Sequence, residues 1–121
     1  MRPHEKLEVW KRAVDLVTRI YGVTKMFPSD ERFGLTSQIR RADVSIPANI
    51  AEGAARQSTK EFLQFLSIAQ GSASELETEL LIATNLEYLN RSEFESLMLE
   101  IDSVGRMMIG LSKHLRKQVQ A

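Results

Sequence analysis

The sequence predicts an all-α protein, an antiparallel up-down-up-down four-helix bundle, and three observations support this prediction. In four successive segments the apolar residues recur every three or four positions, which is the spacing of one face of an α-helix. No segment shows the strict alternation that is typical of a half-buried strand. The stretches between the segments are short, and short loops join antiparallel neighbours in helical bundles. With 121 residues, the chain is expected to form one domain over 1–121.

The first helix is predicted over residues 7–25. Its apolar side is expected to comprise Trp10, Ala13, Val14, Val17, Ile20, Tyr21 and Thr24. The helix should end before Phe27, because the residue that precedes a proline avoids the α-helical region of backbone space.

The second helix is predicted over residues 33–54, and Pro47 lies inside it. Proline lacks an N–H group, and its ring clashes with the carbonyl group four residues earlier, here that of Asp43. The helix therefore either kinks at Pro47 or stops near Asp43 and restarts with Ser45 as a cap. Gly53 is interpreted as the signal that ends this helix.

The third and fourth helices each begin with a capping motif. In the segments 58–61 and 92–95 a serine is followed three residues later by a glutamate, which is the pattern of a capping box. These motifs predict a third helix over 59–89 and a fourth over 93–118.

Helices three and four carry more apolar residues than one buried face requires. Such a surplus in a short chain favours a second buried surface, formed with another subunit. The residues that we expect at this interface are Ile68, Leu81, Ile82, Met107 and Ile109. The alternative is a scatter of single exposed apolar side chains, which is normal in monomers.

The charges are sorted along the chain although the net charge is zero. Residues 1–60 contain eleven Lys and Arg against seven Asp and Glu, whereas residues 61–100 contain one against eight. A protein sorted in this way can present a basic face to a polyanion. The side chains that we expect to contact a nucleic-acid backbone are Arg40, Arg41, Arg56, Lys60, Lys11 and Arg12. Base stacking is not expected, because Trp10, Tyr21 and Phe65 fall on the predicted core faces.

Two polar residues of helix two stand among small and apolar neighbours. Asn49 and Glu52 belong to a polar stripe opposite the apolar face of that helix, which is by itself typical of a solvent-exposed side. We expect a structural role for both, and the side-chain amide of Asn49 can donate a hydrogen bond to the Asp43 carbonyl group that Pro47 leaves free.

Nothing in the sequence indicates catalysis. The chain has no cysteine and only two histidines, His4 and His114, and neither lies in a metal-binding or phosphate-binding motif. We therefore expect no catalytic residue, no metal and no cofactor. No signal peptide and no membrane span are predicted, so we expect a cytoplasmic protein.

Short motifs along residues 4–90 are shared with a known family; they lie at 4–10, 31–35, 38–42, 45–53, 56, 61–62, 71–72 and 75–78. The run at 45–53, SIPANIAEG, is the most specific of them. Together they resemble the bacterial four-helix-bundle proteins known as 23S rRNA intervening-sequence proteins. Asp43 departs from this pattern, since a small apolar residue is expected there.

The resemblance implies an antiparallel bundle that assembles as a ring-like homopentamer and has no enzymatic activity. The family is also similar to accessory proteins of diversity-generating retroelements, which work with a reverse transcriptase and nucleic acid. We therefore expect an oligomeric protein that binds RNA or another nucleic acid, or that acts as an adaptor. The alternative is a protein-interaction scaffold with an unknown protein partner and no affinity for nucleic acid.

Overall fold

The computed structural model describes residues 1–119 with their side chains and the backbone of residue 120. The described chain forms two short 3-10 turns, Pro3–Lys6 and Ser29–Glu31, and four α-helices: α1 (Glu8–Thr24), α2 (Leu35–Ala54), α3 (Thr59–Asn85) and α4 (Arg91–Gln120). Residues 1–120 contain no β-strand, so the prediction of an all-α protein is confirmed. None of these helices is long and apolar enough to cross a membrane.

The four helices form an up-down-up-down bundle. Each helix packs against the next one in the sequence, and α1 also packs along α4. Arg19 of α1 contacts Glu93 and Ser96 near the start of α4, whereas Arg12, two turns earlier, contacts Ser103. Because the order of contacts is reversed along the two helices, α1 and α4 run antiparallel.

The buried side of α1 differs from the one that the spacing predicted. It comprises residues at spacings of four, three, four and four, of which Ala13, Ile20 and Thr24 were predicted: Val9, Ala13, Leu16, Ile20 and Thr24. Val14 and Tyr21 were expected in the core but are exposed, with 37% and 38% of their surface accessible. Each follows a fully buried residue by one position, which turns its side chain about 100° away from the core.

Pro47 lies inside a continuous α2, so the helix does not restart at Ser45. Proline is buried at this position, and the hydroxyl group of Ser45 hydrogen bonds to that of Ser72 on α3 (2.8 Å). The side-chain amide of Asn49 donates to the carbonyl oxygen of Ser45 (2.8 Å) and to its hydroxyl group (2.9 Å). The Ser45–Ser72 bond joins α2 to α3 close to the proline, and the Asn49 bonds lie within α2.

Gly53 lies within α2 and does not end it. A Cβ atom at this position would lie 2.8 Å from Cδ1 of Phe62 and 2.8 Å from Cβ of Phe65, distances at which atoms overlap. Glycine is therefore required for the close approach of the last turn of α2 to the first turns of α3. The sequence pattern pointed to the right residue but to the wrong reason.

The loop between α3 and α4 also departs from the prediction. α3 ends at Asn85 rather than near residue 89, because Glu87 adopts a positive φ of 65°. The N–H group of Tyr88 then donates to the carbonyl oxygen of Ala83 (2.9 Å), as in a Schellman motif. A glycine usually occupies this position, so the sequence carried no obvious signal for the end of the helix.

The two capping motifs have different outcomes. At the start of α3, the hydroxyl group of Ser58 accepts a hydrogen bond from the N–H group of Glu61 (3.2 Å), as the motif predicts. At the start of α4, the cap is Asn90 instead of Ser92, and its Oδ1 accepts from the N–H group of Glu93 (2.7 Å). α4 therefore begins at Arg91, two residues before the predicted start.

Candidate nucleic-acid interface

Three adjoining clefts lie along the first half of α2, where α1 and the loop at 25–34 meet it. Their volumes are about 570, 470 and 250 Å³, and they share lining residues. We call them together the basic groove, whose charged and aromatic lining residues include Lys25, Arg32, Arg40, Arg41, Tyr21 and Phe33. No Asp or Glu is among the described residues that line the groove. The groove therefore presents four positive charges without a carboxylate between them.

The loop before α2 contains two acidic residues, Asp30 and Glu31, and neither lines the groove. Glu31 accepts a hydrogen bond from the N–H group of Leu35 (3.1 Å) through Oε1 and from the hydroxyl group of Tyr88 (3.0 Å) through Oε2. It thereby caps the start of α2 and ties this loop to the α3–α4 loop. A Cβ atom on Gly34 would lie 2.7 Å from Oε1 of Glu31, so the glycine leaves room for this carboxylate.

Arg40 is fixed within the groove by α1. Its Nε atom donates to the hydroxyl oxygen of Thr24 (2.9 Å), and its guanidinium group lies 4.4 Å from the centroid of the Tyr21 ring. The hydroxyl group of Thr24 in turn donates to the carbonyl oxygen of Ile20 (2.8 Å). This arrangement orients Arg40 without neutralising its charge, since neither partner is anionic.

Arg32 and Arg41 have no anionic partner in the described part of the chain. The ion pairs there involve other residues. The guanidinium group of Arg32 lies 5.5 Å from the centroid of the Phe33 ring, and both side chains are exposed. Arginine offers a planar set of N–H donors that matches phosphate oxygens, so two unpaired arginines in one groove can bind a phosphate backbone.

The aromatic residues correct one expectation from the sequence. Tyr21 does not fall in the core, and Phe33 is 89% exposed beside Arg32. Phe65 is partly buried and lies under the guanidinium group of Arg56, 5.0 Å from its ring centroid. In the groove, each of two aromatic rings therefore lies beside an arginine: Tyr21 beside Arg40 and Phe33 beside Arg32. The periodicity along α1 did not predict this, because it assigned Tyr21 to the core.

Arg56 and Lys60 lie at the opposite end of α2 from the groove. Arg56 follows Arg41 by fifteen residues, which corresponds to about 22 Å along a helix. Arg56, two residues beyond the end of α2, forms an ion pair with Glu52 in the last turn of that helix (3.5 Å), and both side chains are about half exposed. Such a pair contributes little to stability. Lys60 is exposed on the first turn of α3.

Lys11 and Arg12 lie near the start of α1, whereas Arg40 contacts the end of that helix at Tyr21 and Thr24. The ammonium group of Lys11 lies 3.8 Å from the Glu8 carboxylate, and Arg12 donates to the hydroxyl group of Ser103 on α4 (3.0 Å). The six cations that the sequence suggested thus do not form a single patch. The structure brings together Arg40 and Arg41, and it adds Arg32 and Lys25 to them. No sequence pattern pointed to Lys25, because it follows the end of α1 and belongs to no motif.

Asn49 and Glu52 occupy different surroundings on α2. Asn49 is half-buried and joins the hydrogen bonds between Ser45 and Ser72 at the α2–α3 contact. Arg56 is the ion-pair partner of Glu52, whose side chain is 53% accessible. Asn49 does not reach the Asp43 carbonyl group that Pro47 leaves without a donor; it bonds to Ser45 instead.

Asp43 is a buried carboxyl group one turn after Arg40. Its exposure is 0%, and neither carboxylate oxygen has a hydrogen-bond partner among the described residues. Burial deprives the carboxylate of water and raises the pKa of Asp43 to about 7. The hydroxyl group of Thr36, which lines the groove, is likewise buried without a partner among those residues.

The side of the bundle formed by α3 and α4 has a different character. A cleft of about 320 Å³ between these helices is lined by Glu77, Asp102 and Arg106, among others. Burial raises the pKa of Glu77, and the nearby Asp102 carboxylate raises it further. This cleft is therefore lined by residues of both signs, whereas the charged residues that line the groove are all basic.

The residues expected at a subunit interface are mostly exposed. Ile68, Leu81, Ile82 and Ile109 are between 43% and 52% accessible, whereas Met107 is partly buried against the core of its own chain. The helical spacing places Ile68 and Ile82 on the same side of α3 and Leu81 about 100° from Ile82. Met107 therefore has a partner within the bundle and differs from the other four.

The described part of the chain offers no arrangement for metal binding: no group of three or more His, Asp or Glu side chains is placed to hold an ion. His4 packs against the Trp10 ring, with 4.7 Å between the ring centroids. His114 lies near the end of α4, where its Nε2 contacts the side chain of Gln118 (3.3 Å).

The architecture of this chain is also found in a known protein. The chain is similar to a protein of unknown function from the S23 ribosomal protein family of Bacteroides thetaiotaomicron, whose crystal structure is known. The two are 29% identical, with a TM-score of 0.80 over 87% of this chain and 98% of the other. No curated protein matches the sequence. Residues 5–110 match the sequence profile of the family described as 23S rRNA-intervening sequence protein, and the chain therefore belongs to that family.

Proposed function

We propose that this protein is a non-enzymatic, oligomeric helical bundle that binds nucleic acid, in the first place RNA, through the basic groove. The observation that carries the proposal is the set of four cationic side chains that line adjoining clefts without an intervening carboxylate. The family description names 23S rRNA, and RNA is a polyanion, the kind of ligand that a groove lined by cations can bind. Neither that description nor the name of the similar protein includes an enzymatic activity. The proposal places the protein in the cytoplasm, where ribosomal RNA is found.

Binding of this kind is electrostatic and depends on salt. Each cation that neutralises a phosphate releases a condensed counterion, so affinity falls as the salt concentration rises. Four cations in one subunit give modest affinity for a flexible strand. Repetition of the groove around an assembly would multiply the number of contacts along one RNA molecule.

The oligomer that we propose is the homopentamer implied by the family resemblance. It is supported by the exposed apolar residues on α3 and α4, among them Ile68 and Ile82. The basic groove and the acidic residues Glu77 and Asp102 of the α3–α4 cleft also suit a head-to-tail contact between copies, which closes into a ring at the correct rotation.

The first test compares two pairs of cations that carry the same charge. The double variant Arg32→Glu and Arg41→Glu reverses the groove, and Arg56→Glu with Lys60→Glu reverses the opposite end of α2. We expect the groove variant to weaken RNA binding at least about tenfold and to lower the salt slope by about one for each lost phosphate contact. Fluorescence anisotropy at several salt concentrations measures both quantities.

In this comparison the second pair is the matched control and should have the smaller effect, because Arg56 is already paired with Glu52. Equal losses from the two pairs would show that binding follows net charge rather than the groove. Unchanged binding in both variants, or no binding by the unmodified protein at low salt, would contradict the proposal and favour the scaffold alternative.

The second test concerns the assembly. We expect light scattering to report a particle of about 68 kDa, five times the 13.7 kDa chain mass. The double variant Ile68→Glu and Ile82→Glu should dissociate it, because two buried carboxylates oppose association. Leu99→Glu, at a 71% exposed position on α4 that is outside the expected interface, is the control and should leave the mass unchanged. A particle of 13.7 kDa from the unmodified protein would contradict the proposed assembly.

A further inference from the structure

The basic groove contains aromatic side chains that phosphate binding does not require. Phe33 is 89% exposed, although a large apolar side chain of this kind costs free energy when it faces water. It does not pack on the core, and its contact in the groove is the Arg32 guanidinium group. Tyr21, on the other wall of the same cleft, is 38% exposed.

These two rings stand beside groups that can bind a phosphate and a ribose. The same cleft of about 570 Å³ is lined by Arg40, Arg41 and the hydroxyl-bearing Ser37. Its volume lies within the usual range of small-molecule sites, roughly 300–1,000 Å³. Aromatic faces next to arginines are the combination with which proteins bind single-stranded nucleic acid, because each base can stack while its phosphate meets a cation.

We propose that the cleft between Tyr21 and Phe33 receives one unpaired base of a single-stranded RNA, which stacks on the Phe33 ring while Arg32 and Arg41 contact the flanking phosphates. This inference rests on the proposed function and adds to it a preference for single strands over duplexes. In a duplex the base faces are covered by their neighbours, so the Phe33 ring has no face on which to stack. The buried hydroxyl group of Thr36, without a partner among the described residues, lines the same cleft.

The arrangement also explains why Arg40 and Arg41, adjacent in the sequence, have different tasks. Arg40 is held by Thr24 and stacks on the inner aromatic residue Tyr21, which shapes the wall of the cleft. Arg41 is exposed and has no ion-pair partner among the described residues, so it can meet a phosphate at the rim. Substitution of Arg40 would therefore disturb the wall, whereas substitution of Arg41 changes the charge alone.

The experiment measures how the 121-residue protein binds a fluorescently labelled RNA of about a dozen nucleotides, as a single strand and annealed to its complement. For Phe33→Ala we expect about a tenfold loss of affinity for the single strand, the usual effect of removing one stacking residue. Duplex binding and the salt slope should not change. Phe33→Trp should retain single-strand binding, because tryptophan can also stack on a base. Leu99→Ala, which truncates another exposed apolar side chain, on α4, is the control and should leave binding unchanged.

The outcomes separate this inference from the proposed function. If reversal of Arg32 and Arg41 weakens binding but Phe33→Ala changes neither substrate, the stacking site is wrong and the backbone site stands. If charge reversal has no effect, both are wrong. A change of particle mass in Phe33→Ala, with equal losses on single strand and duplex, would overturn the inference and identify Phe33 as a contact between copies.

Discussion

Two arginine environments on either side of α1 differ in a way that separates structure from function. On the α4 side, Arg19 donates to Ser96 (2.7 Å) and Glu93 (3.3 Å) and also pairs with Glu100. On the α2 side, Arg32 and Arg41 lie in a groove that no described Asp or Glu lines. Arg19 has its anionic partners within the bundle, whereas Arg32 and Arg41 have none among the described residues.

The same contrast applies to buried polar groups. The Arg19 cluster satisfies its donors with three partners on α4, whereas Asp43 on α2 is completely buried and accepts no hydrogen bond from the described residues. A buried unpaired carboxyl group costs free energy, most of all when it is ionised. The unpaired carboxyl group of Asp43 therefore lowers the stability of the fold on the α2 side, whereas the paired Arg19 cluster on the α4 side does not.

The largest effect is expected from Asp43. Its folded-state pKa of about 7 lies above the ordinary value of 3.8, so the folded state holds this proton more tightly than the unfolded chain does. The stabilisation of the folded state by this protonated carboxyl group is fully present below pH 3.8 and is lost as the pH rises through about 7. The free energy of unfolding of the unmodified protein should thus fall by roughly 2–3 kcal/mol between about pH 5 and pH 8 from this group.

Asp43→Asn removes this dependence while preserving the shape of the side chain. We expect its advantage over the unmodified protein to grow from about pH 5 to pH 8 in urea denaturation. Glu79 adds a slope of the same sign in both proteins, since burial and the neighbouring Glu75 raise its pKa. Asp30→Asn, at an exposed position, is the control, with a change under about 0.5 kcal/mol. Parallel stability curves for Asp43→Asn and the unmodified protein would refute the assignment.

A smaller effect is expected at the contact between α1 and α4. Arg19→Met keeps the apolar stem but removes the donors to Glu93, Ser96 and Glu100, so the free energy of unfolding should fall by about 1–2 kcal/mol. This figure allows for the partial exposure of the pair, 28% for the Arg19 side chain. RNA affinity should not change.

Arg41→Met should have the opposite pattern of effects on stability and RNA affinity from Arg19→Met. Its stability should stay within about 0.5 kcal/mol, because Arg41 is exposed and its charge has no partner among the described residues, while RNA affinity falls. Chemical denaturation and anisotropy on the two variants together test the contrast. If Arg19→Met weakened RNA binding as much as Arg41→Met did, the division between the two sides of α1 would be wrong.

Local sequence patterns predicted helices better than they predicted how helices end. The Ser58 cap forms as its motif predicts because both partners lie within one turn. The end of α3 was misplaced because Glu87 adopts a conformation that is usual for glycine. At the start of α4, Asn90 and Ser92 are both good caps, and the local pattern did not distinguish them.

The candidate site was less predictable than the fold. The sequence pointed to Arg40 and Arg41, which both line the groove, but it grouped them with Arg56 and Lys60, at the other end of α2. It missed Lys25, and it assigned Tyr21 to the core because an amphipathic stripe has no sharp edge. Which side of a stripe faces water depends on where the neighbouring helices lie, and periodicity does not contain that information.

The sequence by itself determined the four helices, their order and the family, because apolar spacing and short motifs act over a few residues. Only the tertiary structure decided which charges meet, since the packing of α1 against α2 and α4 joins residues far apart in the chain. It also showed that Gly53 serves close packing rather than the end of a helix. The physical reason is the same in each case: the contact that gives the residue its role is made with another helix.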